Sequence, residues 1–289
     1  MVYVFLGVNW GETSSLKDTV KAPNVFDEMG SYWAEIAEQS ATERQIQFIE
    51  NAVKKDGCIL DLACGTGRHT IPLTNEGYNI ISLDISVKLL KIAKQRLPQA
   101  QLVKADMRYL PFKDRAFSAA VNMDNSFGYL PSEDADLQSL KELRKTLSAN
   151  GVLVLDVFNR DHLLQKYGKH RFSDRLKWLA LPMLLKFHNG LSRKMLFWFY
   201  RWKEYPSFFL LQKRTVSANG ERLCDLWVVY DKAGGQFLVF EHVARLYKFS
   251  RLQELLLEAG FLVNRVYGDY EKQDFSVNSN RLIVLANAK

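Results

Sequence analysis

Long apolar runs, paired cysteines and internal repeats are all missing from this sequence. No stretch reaches the roughly 20 apolar residues that a membrane-spanning helix needs, so no such helix is predicted. The three cysteines, Cys58, Cys64 and Cys224, are an odd number without the spacing of a metal site. They predict reduced thiols in a cytoplasmic protein that holds no metal. The apolar start, Met1 to Val8, lacks a basic leader and a small-residue cleavage site, so it is not predicted to be a signal peptide.

The composition is that of a soluble globular protein, but its charge is uneven. The 289 residues are 47% hydrophobic and 25% charged, enough for one large core or a core with a small subdomain. The net charge is +7, and between Arg160 and Arg214 thirteen basic residues stand against three acidic ones. One segment therefore carries the whole basic excess.

The stretch from Cys58 to Ile85 has the pattern of a strand, a glycine loop, a helix and a second strand. Gly65 and Gly67 lack a Cβ atom, which lets the backbone turn tightly and approach a ligand closely. Asp61 ends the first apolar run and Asp84 ends the second. Asp84 lies about twenty residues beyond the loop, where an acid that binds a ribose diol is expected.

Two ligand classes fit this pattern. A dinucleotide site needs G-x-G-x-x-G or a final alanine, whereas this loop reads Gly65-x-Gly67-x-x-Thr70 and lacks the third small residue. S-adenosylmethionine has no phosphate but carries an ammonium group, and Asp61 is placed to hold that charge near the loop. A nicotinamide-dependent dehydrogenase is therefore the less favoured alternative.

The run from Leu60 to Gly67 resembles motif I of class I S-adenosylmethionine-dependent methyltransferases. The resemblance covers residues 25–160, and it implies S-adenosylmethionine as the cofactor. It also implies that Asp106 accepts a hydrogen bond from the adenine amino group while Met107 packs on the ring. The predicted cofactor contacts are Tyr32, Asp61, Ala63, Gly65, Gly67, Asp84, Ile85, Asp106, Met107 and Asp124.

Polar residues follow five predicted strands at the point where each strand ends. Successive strands and helices with short loops predict an α/β fold with a doubly wound, mostly parallel seven-stranded sheet, as the resemblance also implies. Its carboxyl edge would then gather these residues at one site. They are Asp61, Asp84, Asp106, Asp124 and Asn159.

Three regions are predicted along the chain. Residues 1–160 form the cofactor-binding core with a helical lead-in. Residues 161–248 form an insertion, a basic aromatic segment followed by antiparallel strands, that acts as a substrate lid. Residues 249–289 return to the core with a helix and the final antiparallel strands.

The loop from Asn122 to Tyr129 is where the methyl donor and the acceptor are expected to meet. It lacks the Asn/Asp-Pro-Pro-Tyr/Phe pattern of the amino-DNA methylases, which argues against methylation of a base amino group. The run Asn125-Ser126-Phe127 instead resembles small-molecule N-methyltransferases of the glycine and sarcosine type. A small-molecule acceptor with an N or O nucleophile is therefore predicted. Its expected contacts are Asn125, Asn159 and Arg245.

Methyl transfer from a sulfonium is an in-line displacement, so the enzyme mainly positions the nucleophile and excludes water. A general base is needed only when the nucleophile arrives protonated. Three residues are candidates for this role: Asp124, Tyr129 and His242. The simpler alternative for His242 is a structural role in a strand. The simpler alternative for Arg245 is an exposed, solvated side chain that does not bind a substrate.

The basic aromatic segment 176–203 leaves the partner open. It is consistent with a lid over a small substrate, with RNA binding through phosphate contacts and stacking, or with an anionic membrane or a lipid- or quinone-like substrate. No recognised RNA-binding module accompanies it, which favours the small molecule. A non-catalytic protein that binds S-adenosylmethionine is a further alternative.

Overall fold

The computed structural model describes residues 22–38, 42–168, 197 and 200–289. Most of the basic aromatic segment 176–203 and the first 21 residues lie outside that range. The helices are α1 Ala22–Met29, α2 Ser31–Glu38, α3 Thr42–Ala52, α4 Thr70–Asn75, α5 Val87–Arg96, α6 Glu133–Thr146, α7 Arg160–Tyr167 and α8 Phe249–Glu258. The strands are β1 Cys58–Leu62, β2 Asn79–Asp84, β3 Gln101–Lys104, β4 Phe117–Asn122, β5 Leu147–Phe158, β6 Lys203–Glu204, β7 Phe208–Val216, β8 Arg222–Asp231, β9 Phe237–Arg245, β10 Phe261–Tyr267 and β11 Arg281–Ala288.

Seven strands form the main sheet in the order β10-β11-β5-β4-β1-β2-β3. The five strands from β5 to β3 pair in parallel, and β11 is antiparallel to both of its neighbours. The predicted doubly wound, mostly parallel seven-stranded sheet is therefore confirmed. The strand order reverses at β1, between β2 and β4, and the carboxyl ends there open a crevice that suits a ligand.

The sheet is covered on both faces, which explains why its central strands are almost continuously apolar. Ile59 and Val121 face the α3 side, where they pack with Phe48 and Ile49. The other face packs α6 and α8 against the sheet through a second cluster. Its members include Leu60, Ala120, Leu143, Leu155, Leu252 and Leu256.

The segment between β3 and β4 differs from the segments that follow β1 and β2, which contain helices. Residues 105–116 form turns instead of a helix. The Asp106 carboxylate accepts from the Arg108 backbone N–H at 2.9 Å, and its carbonyl accepts from the Tyr109 N–H at 2.9 Å. These local bonds favour a turn, and Pro111 lacks the N–H that a helix would require.

A second sheet of four antiparallel strands, ordered β6-β7-β8-β9, contains the predicted hairpins of the insertion. Gly220 adopts φ +71° in the turn between β7 and β8. One face of this sheet packs on α1 through Val25 and Met29, and it also contacts α7 through Leu163. The antiparallel sheet is confirmed, whereas the three region boundaries and the lid role remain predictions.

A bilayer-spanning helix would have to be long as well as strongly apolar, and none of the helices in the described ranges is both.

Candidate functional site

A cavity of about 180 Å³ lies at the carboxyl ends of β1, β2 and β4. The cofactor loop, the turn after β3 and the loop after β4 form most of its wall. It therefore gathers residues that are far apart along the chain. The predicted site residues that line it are Asp61, Ala63, Gly65, Asp84, Ile85, Asp106, Met107, Asp124, Asn125 and Tyr129.

The Asp84 carboxylate holds the cofactor loop against the end of β2. Its Oδ2 accepts from the Gly65 N–H at 2.8 Å, and its Oδ1 accepts from the Ser86 N–H at 2.8 Å. Gly65 adopts φ +56°, which is open to glycine without steric cost. Burial raises the pKa of Asp84, and the backbone donors oppose that rise. The carboxylate is thus positioned at the cavity with oxygens that can accept further bonds.

Gly67 has a different role from Gly65, because it does not line the cavity. It adopts φ +77°, and a Cβ atom there would lie 3.2 Å from the Ala93 Cβ. Gly67 therefore allows the loop to pack against α5. Gly67 thus supports the loop from the side away from the cavity, and its contact with the cofactor stays a prediction.

Asp61 is a buried carboxylate at the end of β1, with 1% of its surface exposed. The Thr70 hydroxyl donates to its Oδ2 at 2.7 Å. Burial raises the pKa of Asp61 to about 6, which reflects the free-energy cost of a charge in an apolar interior. A cationic ligand group in the cavity would favour the ionised form, so this position suits a positively charged partner.

Asp106 and Met107 form the part of the wall that follows β3. The Arg108 guanidinium donates to both Asp106 oxygens, with Nε–Oδ1 at 3.0 Å and Nη2–Oδ2 at 2.5 Å. Hydrogen bonding by the Arg108 side chain is the main reason why the pKa of Asp106 is lowered. Met107 packs against the main core cluster. The wall therefore offers an ionised acceptor beside a soft apolar surface.

Aromatic rings from α1 and α2 line the side of the cavity that faces the second sheet. Phe26 and Trp33 lie with ring centroids 4.9 Å apart, and Phe26 contacts Tyr129 at 5.3 Å. Tyr32 was predicted to contact the cofactor, but it does not line the cavity. Its ring packs on Phe208 of β7 at 5.2 Å. Adjacent helical residues point about 100° apart, so only one of Tyr32 and Trp33 can face the cavity.

The loop after β4 brings Asp124, Asn125 and Tyr129 together. Asp124 and Asn125 both have left-handed backbones, with φ +55° and +66°. Arg68 donates through Nη2 to Asp124 Oδ2 at 2.8 Å, which engages one carboxylate oxygen. Burial raises the pKa of Tyr129 well above its ordinary value, so its hydroxyl stays protonated and can donate.

Asn159 and Arg245, both predicted to contact the acceptor, do not line the cavity. Asn159 Oδ1 accepts from the Asp161 N–H at the start of α7, and its Nδ2 donates to the carbonyl of Ser279 at 2.7 Å. Arg245 forms an ion pair with the buried Asp136. Both polar groups are therefore satisfied by the chain itself, and neither is placed to clamp a substrate.

His242, predicted as a catalytic residue, lies behind the aromatic wall. It is 4% exposed and contacts the rings of Phe26 at 5.4 Å and Tyr129 at 5.8 Å. Its Nε2 lies 3.6 Å from Asp225 Oδ2, while its buried Nδ1 has no hydrogen-bond partner among the described residues. Burial lowers the pKa of His242 to about 4, so the ring is neutral at pH 7. A direct role in proton transfer is not supported by this position.

The replacement His242→Gln is expected to reduce the loss of stability in acid. His242 has a lower pKa in the folded protein, about 4, than the 6.5 of an unperturbed histidine. The neutral His242 therefore contributes in full to the free energy of unfolding above pH 6.5. This contribution is lost as the pH falls from 6.5 toward 4. Between pH 7 and pH 4 the stability difference between native and variant protein should fall by about 3 kcal/mol. Urea unfolding at both pH values measures it, and parallel losses in the two proteins would contradict the assignment.

Several polar residues that line the cavity were not predicted as site residues, and two of them are charged or titratable groups beside the cofactor loop. Arg68 and His69 directly follow Gly67, and both line the cavity. His69 Nε2 lies 3.0 Å from Gln45 Oε1, and burial lowers its pKa well below the ordinary value. The position of Arg68 and His69 directly after the glycine loop was the signal that could have identified them.

Burial is the main reason why the pKa of each of Cys58, Cys64 and Cys224 is raised, and all three are free. Within the described ranges, no group of three or more His, Cys, Asp or Glu side chains is arranged to hold a metal ion.

Comparisons with known proteins agree with this geometry. The model of the methyltransferase domain family matches residues 59–151. A Bacillus subtilis (strain 168) protein named as a methyltransferase, YqeM, is 24% identical over 276 residues, which cover 91% of this chain and 96% of YqeM. Human glycine N-methyltransferase is 31% identical over 146 residues, but these are only 44% of this chain and 50% of that enzyme.

A crystal structure of an S-adenosylmethionine-dependent methyltransferase from Clostridium acetobutylicum ATCC 824 has the same fold. It superimposes with a TM-score of 0.69 at 17% identity, over 92% of this chain and 99% of the other. The glycine loop, the acids that follow β1 and β2 and the matched domain all point to one class. Residues 59–151 match the methyltransferase domain family, and the chain as a whole is similar to methyltransferases in sequence and to S-adenosylmethionine-dependent methyltransferases in fold.

Proposed function

We propose that this protein transfers a methyl group from S-adenosylmethionine to the nitrogen of a small amine. The observation that carries the proposal is Asn125 Oδ1, a buried acceptor in a residue that lines the cavity, for which the described part of the chain supplies no hydrogen-bond partner. A buried polar atom without a partner costs about 1–3 kcal/mol, and an N–H donor would relieve that cost. An amine supplies such a donor together with a nucleophilic lone pair.

The residues around the cofactor loop fit the cofactor. Asp84 would accept from the ribose hydroxyls, and Asp61 would balance the ammonium group, directly or through water. Asp106 and Met107 would take the adenine ring beside Ile85. The raised pKa of Asp61, caused mainly by burial, supports this assignment, because a cationic ligand group would favour the ionised carboxylate.

The acceptor side of the cavity combines aromatic rings with oxygen acceptors. Phe26, Trp33 and Tyr129 line it together with Asp124 and Asn125. Aromatic faces attract cations, so these rings would stabilise the positive charge that passes from sulfur to nitrogen. S-adenosylmethionine supplies the activated methyl group. The chain's own residues would orient the amine and keep water away from it.

The match to glycine N-methyltransferase supports an amine, since that enzyme's name states a nitrogen acceptor. The match covers half of that enzyme, so the identity of the amine does not follow from it.

The proposal is tested in two steps with the purified full chain. Isothermal titration with S-adenosylhomocysteine should give one site per chain. The protein and S-adenosylmethionine are then incubated with glycine, sarcosine and an amino sugar, and S-adenosylhomocysteine release is measured. Glycolate, in which a hydroxyl replaces the amine of glycine, is the matched control. Release with an amine but not with its hydroxyl analogue supports the proposal, whereas release only with hydroxyl compounds, or none with any amine, contradicts it.

The replacement Asn125→Gly is expected to lower kcat/KM for the accepted amine about tenfold, through loss of one acceptor in the cavity. Glycine accepts the φ of +66° at this position, so the backbone should remain in place. The affinity for S-adenosylhomocysteine should change less than twofold. An equal loss of cofactor affinity would assign Asn125 to the cofactor and contradict its role toward the amine.

A further inference from the structure

Asp156, on β5, supports the loop from Asn122 to Tyr129, which is the acceptor loop of the proposed function. It is 0% exposed and does not line the cavity. Its Oδ2 accepts from the Asp124 N–H at 3.0 Å, and its carbonyl accepts from the Asn125 N–H at 3.0 Å. One buried residue therefore binds two consecutive amides of the loop.

Those two amides belong to residues in an unfavourable backbone conformation. Asp124 and Asn125 have φ +55° and +66°, a left-handed region that is uncommon for residues with a side chain, although aspartate and asparagine enter it more readily than most. Such strain persists only where the surroundings impose it, and it tends to occur at functional sites. The two hydrogen bonds from Asp156 impose it here.

The C-terminal strands hold Asp156 in turn. Arg281 donates to Asp156 Oδ1 through Nε at 2.8 Å and Nη2 at 2.6 Å. Tyr270 donates its hydroxyl to Asp156 Oδ2 at 2.7 Å. With the Asp124 amide, four donors converge on one carboxylate, which is the number that its two oxygens can accept.

The contacts close into a ring around the loop. Gln45 Nε2 donates to the Tyr270 hydroxyl at 2.8 Å, and Arg68 donates to Gln45 Oε1. Arg68 also donates to Asp124 Oδ2 at 2.8 Å. Asp124 is thus held by its amide on one side and by its carboxylate on the other.

We infer that Asp156, Tyr270 and Arg281 are positioning residues that fix the Asp124–Asn125 loop for methyl transfer. The inference rests on the proposed function, because that function places the methyl acceptor at this loop. None of the three lines the cavity, so they act through the loop and not on the ligand. The C-terminal strands thereby take part in the site.

The test compares Tyr270→Phe with Tyr247→Phe. Tyr247 provides a matched control, because its hydroxyl donates at 2.6 Å to another buried aspartate, Asp136, which is also paired with an arginine. Both variants lose one tyrosine hydroxyl from an Asp–Arg pair and keep the ring. The Tyr270 hydroxyl is linked through Asp156 to the Asp124 amide, whereas Tyr247 contacts the loop through its ring, which packs on Phe127 and is retained in Tyr247→Phe.

The first readout is hydrogen exchange of the full chain, followed by mass spectrometry of peptides that span residues 123–126. We expect exchange there to be about tenfold faster in Tyr270→Phe and unchanged in Tyr247→Phe. Asp156→Asn should have a larger effect, because its amide N–H group would face donors. If Asp156→Asn does not fold, the tyrosine pair still decides the inference.

The second readout is kinetic, with whichever amine accepts the methyl group. Tyr270→Phe should lower kcat about tenfold while the affinity for S-adenosylhomocysteine changes less than twofold, and Tyr247→Phe should alter neither value more than twofold. Equal exchange and equal kcat in the two variants would overturn the inference. If no amine is methylated, the proposed function fails, but the exchange experiment still tests the positioning role by itself.

Discussion

Replacement of Asp84 by alanine is expected to weaken S-adenosylhomocysteine binding about ten- to a hundredfold. The native carboxylate accepts from the Gly65 and Ser86 amides, each at 2.8 Å, and lines the cavity. The variant loses the proposed acceptor for the ribose hydroxyls and also the bonds that hold the cofactor loop in place. Isothermal titration with S-adenosylhomocysteine measures the change.

Asp27→Ala is the control for this experiment. Asp27 accepts from the Ser86 hydroxyl at 2.6 Å and the Lys88 amide at 3.2 Å, so it supports the same segment without lining the cavity. Its loss should lower the affinity no more than about threefold, since only a peripheral pair of bonds is removed. Unchanged binding in Asp84→Ala, or equal losses in the two variants, would contradict the assignment of Asp84 to the cofactor.

Replacement of Gly128 by alanine is expected to cost about 2–4 kcal/mol of folding stability. Gly128 adopts φ +98°, and a Cβ atom would lie 2.6 Å from the Arg245 carbonyl oxygen. The Arg245 N–H donates to the Gly128 carbonyl at 2.7 Å, so the clash falls where the acceptor loop joins the second sheet. A backbone oxygen cannot move aside as a side chain can, and the loop must shift instead.

Gly77→Ala separates the clash from the backbone strain. Gly77 has φ +84°, but a Cβ atom there would meet nothing within 4 Å. Its replacement should cost only about 1–2 kcal/mol, the penalty of a left-handed backbone. Urea unfolding of both variants gives the comparison, and similar costs at the two positions would show that the contact with Arg245 is unimportant.

The cofactor side of the site could be predicted because its features are local. Gly65, Asp61 and Asp84 lie within one short segment, and turn chemistry, strand ends and helix starts are set by neighbours in sequence. The structure places all three residues at the cavity. The seven-stranded sheet was predictable for the same reason, since each βα unit is marked by its own apolar run and its own turn.

The structure differs from the expected placement where a side chain binds partners that are distant in the sequence. Asn159 stands at a strand end, like Asp61 and Asp84, yet its amide binds carbonyls near residue 277. Arg245 pairs with Asp136, which is 109 positions away in the chain. The end of a strand fixes the position of the backbone at the sheet edge. The hydrogen-bond partner of the side chain depends on which other segment packs against that edge.

By itself the sequence determined the fold class, the cofactor loop and the acids beside it, because these follow from periodicity and backbone chemistry over a few residues. Only the tertiary structure decided that Trp33 and not Tyr32 faces the cavity, and that Asp156 supports the acceptor loop. Asp156 stands in the apolar run of β5, and Tyr270 and Arg281 lie 114 and 125 positions from it. Contacts at such separation leave no local signature, since burial of the charge becomes favourable only when all its donors have been brought together.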